Sequence, residues 1–187
     1  MLMRAMLLAV ALGLATAASA VEVAGVAVPD KAQVAGRELV LNGAGLRKRA
    51  IFKVYVGSLY LPKKATTSEA VLAQAPRRVQ LNVLRDLSAD QLIGALDDGL
   101  KANTTDEEYR SLATPLGEMA AIMKSFGQAK EGSVVTLDFI DGATHIGLDG
   151  KERGTIAGEA FNVALTRVWV GEHPVQEDLR KAMLGGA

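Results

Sequence analysis

Gly43-Ala44-Gly45-Leu46-Arg47-Lys48-Arg49-Ala50-Ile51-Phe52-Lys53-Val54-Tyr55-Val56-Gly57-Ser58-Leu59-Tyr60-Leu61 is the stretch from which the rest of the chain is read. Its second half, Ala50 to Leu61, is rich in Ile, Phe, Val and Tyr and is stopped by Pro62, which predicts one long strand. The glycines at 43 and 45 predict a tight turn ahead of it, with Glu38 to Asn42 a short strand before the turn. Such a turn delivers Arg47 to the edge of the strand. Side chains alternate along a strand, so Tyr55 and Tyr60 face opposite sides and only one of them can share a cleft with Arg47. A guanidinium beside a phenol is a device for holding a carboxylate, enolate or phenolate. The competing reading of Arg47 is a surface strap, and of each tyrosine a core residue with a tethered hydroxyl.

Outward from this stretch, Val23, Val26 and Val28 predict a short strand ending at Pro29-Asp30. Thr67 caps a short helix from Ser68 to Gln74. Arg78 to Leu84 alternates Val79, Leu81 and Val83 against Arg78, Gln80 and Asn82, the pattern of a half-buried antiparallel strand. Ser88 with Gln91 forms a capping box for a helix to about Ala102 carrying Leu92, Ile93, Leu96 and Leu100. Thr105 opens an acid-led helix with Leu112, Leu116, Met119, Ala120 and Met123 as its buried stripe, and Pro115 kinks or splits it. Ser133 to Ile140 and Thr144 to Leu148 form a hairpin about Asp141-Gly142, and Lys151 to Ile156 follows as a third strand. Helices over Gly158 to Val170 and Val175 to Leu184 close the chain. Strands first, helices mid-chain, a meander and closing helices indicate an α+β domain rather than alternating α/β.

The ends and the composition bound what this domain can do. Arg4, the apolar run Ala5 to Ala15 and Ala18-Ser19-Ala20 read as an export signal cut after Ala20. The expectation is a periplasmic protein with its domain over residues 21–187. A membrane anchor is the competing reading, against which the run is short. Acids and bases balance at 21 each, with signs dispersed, which argues against a nucleic-acid partner. The chain has no cysteine, so disulfide and thiolate chemistry are excluded. Its two histidines, His145 and His173, stand away from other ligand-type residues, so no metal or other cofactor is expected. Trp169 reads as core or as the floor of a pocket for a greasy ligand, and Arg85-Asp86 as a structural ion pair with Arg85 a second candidate anion contact.

Two segments, Gly43 to Leu61 and Phe161 to Leu184 with its Trp169-Val170-Gly171-Glu172-His173-Pro174 run, resemble the chalcone isomerase family, and more closely its exported bacterial chalcone isomerase-like branch. The resemblance implies an open-faced β-sandwich, a large antiparallel sheet packed against a layer of helices with a pocket between the layers. It matches Arg47 to the arginine that stabilises an enolate in the plant enzymes, and Tyr109 to a helical tyrosine that holds a catalytic water. The polar partners of those enzymes are replaced, by Tyr55 on the strand, Val168 near the Gly-Glu-His turn and Leu116 two turns past Tyr109. Each lost preorganised contact costs turnover about 10²- to 10³-fold. Non-catalytic relatives in this superfamily bind fatty acids through an arginine and a tyrosine. The expectation is therefore a monomeric binder of a fatty acid or other small amphipathic carboxylate. Arg47, Tyr55 and Tyr109 would hold the head, and Leu116, Val168 and Trp169 would line the tail. The alternative is an isomerase acting on a chalcone-like enone, with Arg47 and Tyr109 as its catalytic residues.

Overall fold

The computed structural model describes residues 19–186, so the expected export signal lies almost wholly outside the described residues. The elements are β1 (Ala20–Val23), β2 (Val26–Pro29), β3 (Lys31–Val34), β4 (Arg37–Arg49), β5 (Phe52–Leu61), α1 (Ser68–Leu72), β6 (Arg77–Val83), β7 (Leu87–Ser88), α2 (Ala89–Ala102), α3 (Asp106–Ser111), α4 (Ala113–Phe126), β8 (Gln128–Ala129), β9 (Val134–Ile140), β10 (Ala143–Leu148), β11 (Lys151–Ala157), α5 (Glu159–Val170) and α6 (Glu177–Met183). Seven strands form an antiparallel sheet in the order β11-β10-β9-β6-β5-β4-β3. Helices cover one face, and the β1–β2 hairpin packs near the other around Val28, Val34, Leu39, Leu41, Val56 and Tyr60. The expected α+β architecture, a large antiparallel sheet against a helical layer, is what forms.

Four hairpins turn on two residues that both have positive φ: Ala24-Gly25, Ala35-Gly36, Asp141-Gly142 and Asp149-Gly150. Positive φ at both central positions twists a turn to suit the flanking strands. The two Asp-Gly turns are legible in the sequence; the two Ala-Gly turns carry a weaker signal, and the first of them divides the predicted Val23–Val28 strand into β1 and β2.

The largest correction concerns the glycines. Gly43 and Gly45 form no turn. They lie inside β4, which runs unbroken where a strand, a turn and a strand approach were expected. They are small because α6 lies directly on them: a Cβ built on Gly43 would stand 2.0 Å from the Ala182 carbonyl oxygen, and one on Gly45 would stand 2.7 Å from the Ala182 Cβ. The true turn is at Ala50-Ile51.

A bulge at Asn42 sets which residues α6 meets. Leu41 pairs with Tyr60 on the hairpin face, whereas Gly43 pairs with Leu59 on the helix face. One extra residue reverses the alternation, so Gly43, Gly45 and Arg47 all point toward the helices. The bulged Asn42 is buried, and its amide is fully engaged. Nδ2 donates to the carbonyls of Ala65 (2.8 Å) and Met183 (2.7 Å), while Oδ1 accepts from the Ala65 amide (2.7 Å).

The helices form as their caps direct. Ser88 and Gln91 close a capping box on α2, and Thr105 and Glu108 close another on α3. The predicted acid-led helix is split at Leu112, which leaves Pro115 in the first turn of α4, where its missing N–H costs nothing. Leu92, Leu96 and Leu100 are buried along α2, each worth about 1.5–3 kcal/mol of transfer free energy. Beneath them α5 is buried nearly all round.

One charged residue in this core was not anticipated. β6 starts one position earlier than predicted, and Arg77 shares the inward face of Val79. It is 1% exposed. Its guanidinium donates to Thr166 Oγ1 (3.0 Å), the Gln74 carbonyl (3.0 Å) and the side chain of Asn162, and it stacks over Phe139. Burial among neutral acceptors pulls its pKa down to about 10. The Asn162 and Thr166 side chains, one turn apart on α5, thus tie that helix to β6.

Candidate functional site

Arg47 and Tyr55 are direct cross-strand partners on β4 and β5. A second irregularity follows at once: Arg47 pairs with Tyr55 but Lys48 pairs with Lys53, leaving Val54 as an extra residue on β5. Arg47, Arg49, Phe52, Val54 and Tyr55 consequently line one cavity of about 660 Å³ between the hairpin, α2 and the loop before α6. That is within the usual range for small-molecule sites. Its buried lining includes Tyr55, Leu87, Leu92 and Gly99, and its exposed rim includes Arg49, Phe52, Arg85 and the α2 carboxylates Asp90 and Asp98.

Arg47 is placed where α6 begins. The helix roofs Gly43 and Gly45, and the next side chain on that face emerges beyond Gln176, the residue before α6. Gln176 closes the edge of β4 that short β3 leaves open: Nε2 donates to the Leu46 carbonyl (3.1 Å) and Oε1 accepts from the Lys48 amide (2.8 Å). Arg47 Nη1 donates to the same Oε1 (3.3 Å) and to the Lys48 carbonyl. Neutral acceptors hold the guanidinium, and no carboxylate pairs with it among the described residues. Its charge is available to a ligand.

Tyr55 is only 8% exposed. Its hydroxyl accepts from Trp169 Nε1 at 3.1 Å, which leaves the phenolic proton free to donate. Burial pushes the phenol above its ordinary value, while Trp169 and Arg47 pull weakly the other way. A neutral O–H donor beside a fixed cation suits a carboxylate.

The other candidates fall elsewhere. Trp169 stands behind Tyr55 and orients its hydroxyl rather than lining the cavity. Val168 is buried beneath α2, where a Cβ on Gly99 would stand 2.7 Å from its Cγ1. Leu116 is a half-buried residue of α4 packed against the main core. Tyr109 is outside the cavity lining: its hydroxyl donates to Asp97, and Lys101 sits over its ring. Asp97 and Lys101, like Tyr109, are not among the residues that line the cavity.

Arg85 and Asp86 form no ion pair. Arg85 stacks on Phe52 at 4.5 Å from the ring centre, and Asp86 accepts from the Glu131 amide. His173 lines the cavity in a turn whose backbone is bonded on both sides by Asn103. Arg49, Phe52 and Val54 were not singled out by the sequence: Arg49 shares the face of Arg47 by strand alternation, and the bulge at Val54 brings Val54 and Phe52 to the cavity beside Tyr55. Among the described residues no cluster of three or more His, Asp or Glu could hold a metal ion.

An antiparallel sheet roofed by helices, with an arginine and a tyrosine lining a cavity between β4–β5 and α2, is an arrangement chemically able to hold a small anionic ligand. The sequence profile of the chalcone isomerase-like family matches residues 20–185, and the chain belongs to that family. A solved fatty-acid binding protein of Arabidopsis thaliana is similar in fold, with a TM-score of 0.65 and 16% identity over 86% of this chain and 92% of that one. No curated protein matches.

Proposed function

We propose that this chain is a periplasmic, non-catalytic protein that binds a fatty acid or other small amphipathic carboxylate. The observation that carries the reading is the pairing of Arg47 with Tyr55 inside one cavity whose remaining lining includes Val54, Leu87, Leu92 and Val175. The carboxylate takes the guanidinium and the phenolic proton, and the tail lies along the apolar wall. The fatty-acid binding of the Arabidopsis protein of similar fold supports this ligand class. The export signal read at residues 1–20 supports the location. The placement of Tyr109 against Asp97 counts against the isomerase alternative, which needs it in the cavity.

The test is titration of delipidated protein with laurate, read by calorimetry and by emission of Trp169, the only tryptophan. Loss of a charge-assisted bond is worth about 1.5–3 kcal/mol, so Arg47→Met is expected to weaken binding roughly 10- to 100-fold. Stability should barely change, because Gln176 keeps its two backbone bonds. Tyr55→Phe is expected to lower both affinity and stability, since it leaves the buried Trp169 N–H unpaired. Unaltered affinity in Arg47→Met would refute the clamp. A rate above background with naringenin chalcone would favour the enzyme instead.

A further inference from the structure

The β4–β5 hairpin ends in a tip that solubility alone does not explain. Ile51 is 88% and Phe52 52% exposed, and with Val21 they are the large hydrophobic residues left open to solvent among those described. The other tight hairpin turns place glycine second, whereas here left-handed Ala50 is followed by Ile51. Around this apex stand Lys48, Arg49, Lys53 and Arg85. None of the four makes an ion pair within 4.0 Å among the described residues. The extra residue at Val54 splits them, with Arg49 and Phe52 toward the cavity and Lys48 and Lys53 on the opposite face. Arg85 stacks on the Phe52 ring and holds it as a wedge.

From this we infer that the tip docks on an anionic phospholipid bilayer: Ile51 and Phe52 enter the interface while Lys48, Arg49, Lys53 and Arg85 meet phosphate groups. The inference rests on the lipid-binding reading and says where the ligand enters. Arg49, Phe52 and Arg85 belong both to the tip and to the cavity rim, so a tail leaving the bilayer would slide along Phe52 toward Tyr55 without crossing open water. Charge complementarity selects an anionic surface. The tip carries no acid from Arg47 to Lys53. The rim acids Asp90 and Asp98 are on α2, across the cavity. Each cation at such a surface contributes about fivefold in affinity, and the effect is screened by salt.

The experiment is co-sedimentation of the mature protein with vesicles containing phosphatidylglycerol, against vesicles of phosphatidylcholine alone. Preference for the anionic vesicles, weakening as salt rises, is expected. Lys48→Gln with Lys53→Gln should lower partitioning roughly 25-fold, and Ile51→Asp by at least as much. None of these three residues lines the cavity, so laurate titration in free solution should be unchanged in the variants. Variants that partition like wild type, or a wild type that ignores anionic vesicles, overturn the inference. So does a wild-type dimer that Ile51→Asp dissolves while vesicles are ignored, which makes the tip a contact between copies. Wild type that binds vesicles but no laurate overturns the lipid-binding reading and leaves the docking surface standing.

Discussion

Replacing Gly43 with alanine tests the correction on which the site depends, that these glycines are a seat for a helix and not a turn. The added Cβ would stand 2.0 Å from the Ala182 carbonyl oxygen and 3.1 Å from that of Met183. Ordinary contact begins near 3.4 Å, so α6 must withdraw by about 1.4 Å. The Asn42 bond to Met183, now 2.7 Å, would then be lost or badly stretched. Overpacking costs about 1–3 kcal/mol and the bond about 1 more, while reduced entropy of the unfolded chain returns about 0.4–1. The net expectation is a loss of ~1–3.5 kcal/mol. Gly45→Ala meets only side chains, the Ala182 Cβ at 2.7 Å and Leu179 Cδ1 at 3.2 Å, and should cost about half as much. Gly117→Ala, inside α4 with nothing within 4 Å, should stabilise by about 0.5–1 kcal/mol through helix propensity. Urea midpoints at constant slope give the three values. Laurate affinity should fall with Gly43→Ala as well, because moving α6 moves Gln176 off β4. A Gly43→Ala protein as stable as wild type, or less affected than Gly45→Ala, would refute the reasoning.

Asn42→Ala should destabilise by roughly 2–4 kcal/mol, since it orphans an amide and two carbonyls in a buried loop and helix end. It should also loosen the bulge that aims Arg47; retention of full laurate affinity in a folded variant would show that the bulge is set by something else. The three phenols should titrate late in the native protein. Burial raises Tyr55, burial pushes Tyr60 up to about 12, and the bond to Asp97 raises Tyr109. The native state therefore keeps protons that the unfolded chain releases near pH 10. This stabilisation is intact below pH 10 and is lost as pH rises toward and past about 12. Near-ultraviolet phenolate absorbance, native against guanidinium-unfolded, measures it; three phenols ionising together near pH 10 in the native protein would contradict the placements.

Local chemistry was legible in the chain itself. The capping boxes at Ser88 and Thr105, the Asp-Gly turns of the β9–β11 meander and the alternation of β6 each depend on residues within a few positions of one another, and each appears close to where it was read. Arg47 and Tyr55 were likewise visible as residue types with a chemistry to offer. Their meeting was decided elsewhere. It needs an extra residue at Asn42, held by bonds to Ala65 and to Met183, 23 and 141 positions away, and the cavity around it needs a second at Val54 that turns Phe52 to the side of Tyr55. Long separations in sequence likewise part Gly43 from Ala182 in the helix that makes it a glycine, and Arg77 from its α5 acceptors, 85 and 89 positions on. A period-two pattern names the two faces of a strand but cannot say where they exchange, because that exchange is stabilised only by partners the folded chain brings in.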